Sequence, residues 1–298
     1  MKKSIVYPLL AVAAIVWGVS FIMTKELFNT EPHITVLTIL TFRLLLATII
    51  TIPSMMLFRQ LERIRKGDLK WFLILAFLEP FIYSICETRG VQLVSGSMSS
   101  IIVATIPLFV PFGMAIIYHE KIRGITLVGI LLSLIGLSIM LFMGGSDNLD
   151  TNPAGLACLF GAVLTAVVFT IVLVKLVGKY KPLTITAYQN FIGCLYFIPV
   201  MLWFDHDQLP LLSYSPKMIL LIAALGIFCS TLAYVLYNIG ITHLGATAAC
   251  IFTNAIPVFS LIAAIIIGQE TLTWTKPVGI VIVLAGVVLA QLPERKKA

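Results

Sequence analysis

Glu79, Tyr83 and Glu87 recur at four-residue spacing in a largely apolar stretch, which places them on one face of a helix. Arg43 interrupts a second apolar stretch. Ser230, Tyr234 and Asn238 repeat the four-residue spacing later in the chain, with Tyr237 alongside. Carboxylates, a guanidinium, phenols and an amide in such settings can bind a polar solute, pass protons, or tie helices together. Enzymatic chemistry finds little support. The chain has no GxxxxGK[ST] and no GxSxG, and the His119-Glu120 stretch lacks the second His of HExxH. His33, His119, His206 and His243 are scattered, and Asp205-His206-Asp207 reads as a solvated loop rather than a metal site. The sequence therefore predicts no enzyme, no cofactor and no metal.

What must position these groups is a set of membrane helices. The chain has 298 residues, 60% hydrophobic and only 11% charged, with a mean hydropathy of +1.06. A soluble protein carries roughly 25% charged residues, and one soluble core could not hide this much apolar surface. The fold class expected is an all-α polytopic membrane protein. Cys86, Cys158, Cys194, Cys229 and Cys250 each sit in an apolar run without CxxC spacing, as small packing residues do. The net charge of +7 suggests no nucleic acid, because no soluble domain carries a basic face.

Apolar runs of about 20 residues fall at 5–25, 34–58, 69–90, 95–118, 123–143, 153–174, 183–204, 217–241, 246–268 and 274–292, ten expected spans. The first, after Met1-Lys2-Lys3, is too long for a cleaved leader's apolar region and reads as a span. With the N-terminus inside, fifteen Lys and Arg lie on the inner side and four on the outer side. Arg43 falls within a span. This bias predicts both termini in the cytoplasm.

The chain repeats itself at an offset of 150 residues. "IPLFVPFGMAIIYHEKI" (106–122) aligns with "IPVFSLIAAIIIGQETL" (256–272), with six of seventeen positions identical. Pro107 meets Pro257 and Glu120 meets Glu270, whereas Pro111 has no counterpart. Gly90 meets Gly240, Gly136 meets Gly286, Ser20 meets Thr170, and Lys25 meets Lys175. Each unit, 1–145 and 146–298, then holds five spans, with the seam in "GGSDNLDTNP" (144–153). An odd number of spans inverts the second copy in the bilayer, the architecture of many secondary transporters. Glu120 and Glu270 would mark the same membrane exit, inside in one copy and outside in the other.

"WGVSFIMTK" (17–25), Arg43, Gly90-Val91-Gln92-Leu93, Pro107, Glu120 and the Gly129/Gly136 pair follow one another in order, and partly a second time. In this the chain resembles the EamA-like exporters of the drug/metabolite transporter superfamily, along essentially its whole length. The second copy departs from the pattern, since Val167-Val168 replaces Trp17-Gly18 and Gly193 replaces Arg43. The resemblance implies a central cavity lined chiefly by the third, fourth, eighth and ninth spans, and export of a metabolite or amino acid. It also brings Trp17 and Ser20 into the candidate lining.

Arg43 and Glu79 each lie about nine or ten residues into their spans, about 14 Å from opposite faces at 1.5 Å per residue. They either pair or face one aqueous cavity. Glu87 lies nearer the outer end, where headgroups and Arg89 are its alternative surroundings. Tyr83, Tyr234, Tyr237, Asn238 and Asn254 complete the candidate lining. Pro107 and Pro257 are the candidate hinges, each expected to free an i−4 carbonyl, at Val103 and Thr253. Gly129, Ser133 and Gly136, with Gly279 and Gly286, read as smooth faces for helix contact.

The function expected is a secondary transporter in a bacterial-type cytoplasmic membrane, exporting a small metabolite such as an amino acid by alternating access. Titration of Glu79 or Glu87 would make protons the coupling partner, and facilitated diffusion is the alternative. A lipid-linked or multidrug exporter, and a non-transporting structural or assembly protein, are the competing readings. Monomer and homodimer both remain open.

Overall fold

In a membrane interior no water is present to satisfy backbone polar groups, so an apolar chain of this kind folds into helices. The computed structural model describes residues 3–119, 124–142, 152–269 and 274–290. Among these it is helical throughout, with one isolated bridge between Val177 and Tyr180 in place of any strand. The helices are α1 (Lys3–Thr30), α2 (Val36–Leu57), α3 (Leu69–Leu93), α4 (Gly96–Val103), α5 (Ile106–Tyr118) and α6 (Gly124–Phe142). Then follow α7 (Pro153–Val174), α8 (Pro182–Phe204), α9 (Pro216–Leu244), α10 (Ala246–Cys250), α11 (Ile256–Ile267) and α12 (Thr275–Ala290). Among the described residues, seven segments are long and apolar enough to cross a membrane: α1, α2, α3, Gly96–Ile117 across α4 and α5, α7, α8 and α9. Phe252–Ile267 and Pro277–Gly286 are shorter apolar helices.

Helix starts carry the capping chemistry that their first N–H groups need. Thr35 Oγ1 accepts from Thr38 N at 3.1 Å, Ser95 Oγ from Met98 N at 3.3 Å, and Ser215 Oγ from Met218 N at 3.2 Å. Asn152 Oδ1 accepts from Ala154 N at 2.9 Å. Pro153, Pro182 and Pro216 occupy first-turn positions, where proline's missing N–H is no loss.

Two helices are irregular at their middles. α3 contains a π-helical stretch over Phe77–Ile82, and α9 one over Leu225–Ala233. In α3 the residue before Pro80 avoids the helical region, and Glu79 sits at φ −137°, ψ 118°. The two stretches coincide under the 150-residue offset. So do the breaks between α4 and α5 and between α10 and α11. A turn at Ala104–Thr105 makes the first break and a 3-10 segment at Ile251–Ala255 the second.

The prolines differ from expectation here. Pro107 and Pro257 do not kink continuous helices; each sits in the first turn of a new one. The Thr253 carbonyl is not free either, because Ile256 N–H donates to it. Glu120, Glu270 and the seam at 145/146 lie outside the described residues.

α6 and α12 pack through small residues. A Cβ on Gly136 would lie 2.8 Å from Val283 N and 3.0 Å from Gly279 O. One on Gly286 would overlap Ser133 Oγ and lie 2.6 Å from Gly129 O. Ser133 Oγ donates to the Val283 carbonyl at 3.1 Å, and these two residues are themselves 150 apart. Each contact is therefore exchanged for its own counterpart by the offset. Lower numbers on α6 meet higher numbers on α12, so the two helices run antiparallel.

Asp205 departs from the solvated-loop expectation, being buried and accepting from Thr35 Oγ1. His206 and Asp207 remain exposed.

At another loop, Asp68 ties the start of α3 to the turn after α7. Its Oδ1 accepts from Lys179 Nζ at 3.1 Å and its Oδ2 from the Tyr180 hydroxyl at 3.0 Å. The Lys179 ammonium and then the Tyr180 hydroxyl hold the Asp68 carboxyl below its ordinary range, against the effect of burial. A depressed folded pKa stabilises above the unfolded pKa, and the effect is lost as pH falls through the folded value. Asp68→Asn is expected to lower the melting midpoint in detergent at pH 7, with the difference from the parent chain closing below about pH 4. A further expectation concerns the glycines. Gly136→Val or Gly286→Val should destabilise the fold by about 1–3 kcal/mol through overpacking, read as a lower melting midpoint. Gly67→Ala, where nothing lies within 4 Å, should not.

Candidate functional site

A cavity opens where the two irregular helices approach each other. α1 contributes Trp17, Ser20 and Phe21; α2, Arg43; and α3, Glu79, Tyr83 and Glu87. α9 contributes Tyr234 and Tyr237, and α7 contributes Ala166, Phe169 and Thr170. Val103, Ile106, Cys250, Thr253 and Ile256 complete the wall at the two helix breaks.

The structure thus brings together Trp17, Ser20, Arg43, Glu79, Tyr83, Glu87, Tyr234 and Tyr237. Arg43 and Glu79 face one cavity, but no ion pair joins them among the described residues. Arg43 Nε instead donates to Ser230 Oγ at 2.5 Å. Glu79 accepts from the Tyr234 hydroxyl at 2.5 Å and from Ser84 Oγ at 3.3 Å. Glu87 accepts from the Tyr83 hydroxyl at 2.8 Å. Glu87 lines the cavity wall, and Arg89 donates to Gln92 rather than to Glu87. Trp17 meets Tyr234 and Tyr237 edge-on, with centroids 5.1 and 5.3 Å apart.

Asn238 and Asn254 are not among the residues that line the cavity. The Asn238 amide turns toward α8 and donates to Thr186 Oγ1 at 3.0 Å. On α9, Tyr234 and Tyr237 are three apart and share the cavity face, while Asn238 falls on the side that packs against α8. Asn254 is buried, and neither atom of its amide makes a hydrogen bond among the described residues. In the 3-10 segment its neighbour Thr253 takes the cavity position instead. Pro107 and Pro257 are not in the wall, although Val103 and Thr253, four residues before them, are.

The backbone at the irregular stretches is held from α8, which the sequence reading passed over. Gln189 Nε2 donates to the Glu79 carbonyl at 3.0 Å. Its neighbour Asn190 donates through Nδ2 to the Ser230 carbonyl at 3.0 Å. Two consecutive amides in an otherwise apolar helix were the available signal. The close fit also explains a departure between the copies. A Cβ on Gly193, the counterpart of Arg43, would lie 2.5 Å from Pro80 Cγ. A side chain there has no room. Thr170 was likewise missed as lining, though its pairing with Ser20 was legible. The cavity also draws on the first, second and sixth expected spans, beyond the four that the resemblance implied. All five cysteines are free; Cys250 lines the cavity with its Sγ 2.8 Å from the Tyr237 hydroxyl.

Comparison with known proteins agrees with this geometry. The model of the EamA-like transporter family matches residues 4–142 and again 153–292. The uncharacterized transporter YetK of Bacillus subtilis (strain 168) is 28% identical, over 99% of this chain and 89% of its own length. The uncharacterized inner membrane transporter YicL of Salmonella typhimurium is 22% identical, over 96% of this chain and 95% of its own. A solved crystal structure superimposes with a TM-score of 0.66 at 16% identity, covering 94% of this chain and 98% of that one. Since the family model accounts for both halves of the sequence, this chain belongs to the EamA-like transporter family.

Proposed function

We propose that this protein is a secondary transporter that moves a small metabolite out of the cell by alternating access. Its ten spans form two inverted repeats, 1–145 and 146–298, in an inner membrane, with both termini cytoplasmic. One observation carries the reading: the cavity wall is built from repeat-related pairs. Ser20 and Thr170, Glu87 and Tyr237, Val103 and Thr253, and Ile106 and Ile256 each stand 150 residues apart and each line it. A site shared in this way lies between the halves, where exchanging their conformations exposes it to alternate sides. The antiparallel contact of α6 with its counterpart α12 supports the inversion. The paired breaks at Thr105 and Ile251–Ala255 supply the hinges, with Pro107 and Pro257 fixing the first turn beyond each.

Trp17, Arg43, Glu79, Tyr83, Glu87, Tyr234 and Tyr237 contact the solute in this reading. Asn238 and Asn254 act on the helices rather than on the solute. Glu79 and Glu87 are the groups through which protons would couple to transport.

Proteoliposomes test the reading. Purified protein should give saturable uptake of at least one labelled metabolite, with and without a pH gradient. Tyr234→Phe, which removes a donor from a carboxylate, should lower that flux by about ten- to a hundredfold, from the about 1.5–3 kcal/mol of such a bond. A folded protein with no flux of any solute would leave only the structural reading standing. A gradient that leaves flux unchanged would assign facilitated diffusion.

A further inference from the structure

The cavity wall holds two carboxylates, Glu79 and Glu87, and one guanidinium, Arg43. Two acids against one base leave one negative charge in excess when all are ionised. Neither carboxylate touches a cation among the described residues. Their contacts are hydroxyls: Tyr234 and Ser84 for Glu79, and Tyr83 for Glu87. Hydroxyls donate hydrogen bonds but do not neutralise, and an uncompensated carboxylate inside a membrane is costly. Arg43 commits its Nε to Ser230 rather than to either acid.

Around this cluster the lining is mostly aromatic and apolar, with the neutral hydroxyls of Ser20, Thr170 and Thr253 among it. Trp17, Tyr234 and Tyr237 form one edge-to-face group, and such rings attract a desolvated cation through their faces. Phe21, Val103, Ile106, Phe169 and Ile256 offer only hydrocarbon. An anionic solute would meet two carboxylates with a single guanidinium to offset them. A zwitterion could place its acid at Arg43 and its ammonium at one glutamate, which leaves the second glutamate uncompensated. A cation with an apolar body satisfies the whole set.

We propose that the ligand of this cavity is a small organic cation, an ammonium or amidinium on an apolar body, whose charge docks at the carboxylates of Glu79 and Glu87. The charge comes entirely from the first repeat. The counterparts of Arg43, Glu79 and Glu87 are Gly193, Cys229 and Tyr237. The cationic end therefore lies toward α3, and the two copies contribute unequally to a site that both enclose. The proposal rests on the transporter reading for movement of the cation but not for its binding.

Probes that share an apolar body and differ in their charged groups test it on the purified, full-length chain. Tryptamine, tryptophan and indole-3-propionate share an indole, and pentylamine, norleucine and hexanoate share an alkyl chain. In each series the amine is expected to bind about tenfold or more tighter than the zwitterion, a difference of about 1.4 kcal/mol, with the anion weakest. Glu79→Gln and Glu87→Gln should each erase that preference. Their melting midpoints and binding of the uncharged skatole report whether the cavity persists. Zwitterion or anion bound as tightly as the amine, amine preference surviving both substitutions, or no amine binding in either series would overturn the proposal. Liposome flux separates the two claims. Amine binding without any flux refutes transport alone, while flux of zwitterions or anions in preference to amines refutes the cation assignment alone.

Discussion

Every irregularity in this fold has to be satisfied without water. A membrane interior punishes an open backbone carbonyl and an unsolvated charge alike, so broken helices survive only where side chains answer them. Here the answers converge on one place. Gln189 and Asn190, consecutive on α8, donate to the backbones of α3 and α9 at their π-helical stretches. Tyr234 crosses from α9 to the carboxylate of Glu79 on α3, and Arg43 crosses from α2 to Ser230 on α9. The bonds that make the irregular helices tolerable are the same ones that draw polar groups into a common cavity.

The second organising feature is the near-exchange of the two halves. At α6 and α12 the exchange is close, because glycines and a serine meet with almost nothing between the backbones. At the cavity it is looser. Ser20 and Thr170 keep a hydroxyl in both copies, while Glu87 and Tyr237 do not match in charge. In the proposed transporter, geometry is shared between the halves and chemistry belongs mainly to one. Gly193 shows why this divergence was physically forced at one position, since Pro80 already occupies the space that a side chain would need.

Much of this was legible in the sequence. Apolar run lengths located the helices, and the 150-residue offset located their counterparts. Glu79, Tyr83 and Glu87 stood out because charge is rare in such runs, and all three line the cavity. What was not legible depended on local backbone form. Helical spacing groups Asn238 with Tyr234, but packing against α8 decides which of them turns to the cavity. A 3-10 segment gives Thr253, rather than Asn254, the cavity position. Pro107 and Pro257 could be read as breaks, but not as the first turns of new helices. The role of Gln189 depends on a carbonyl that no pattern of residues reveals.

The central claim is that one cavity, shared by the two repeats, faces each side of the membrane in turn. The most direct measurement is side-specific thiol labelling of Ser20→Cys and of Thr170→Cys, each in a background with the five native cysteines replaced, in vesicles of known orientation. The account predicts that a membrane-impermeant thiol reagent reaches each position from both faces and that transported solute shields it. Labelling from one face alone under every condition, with flux intact, would contradict it.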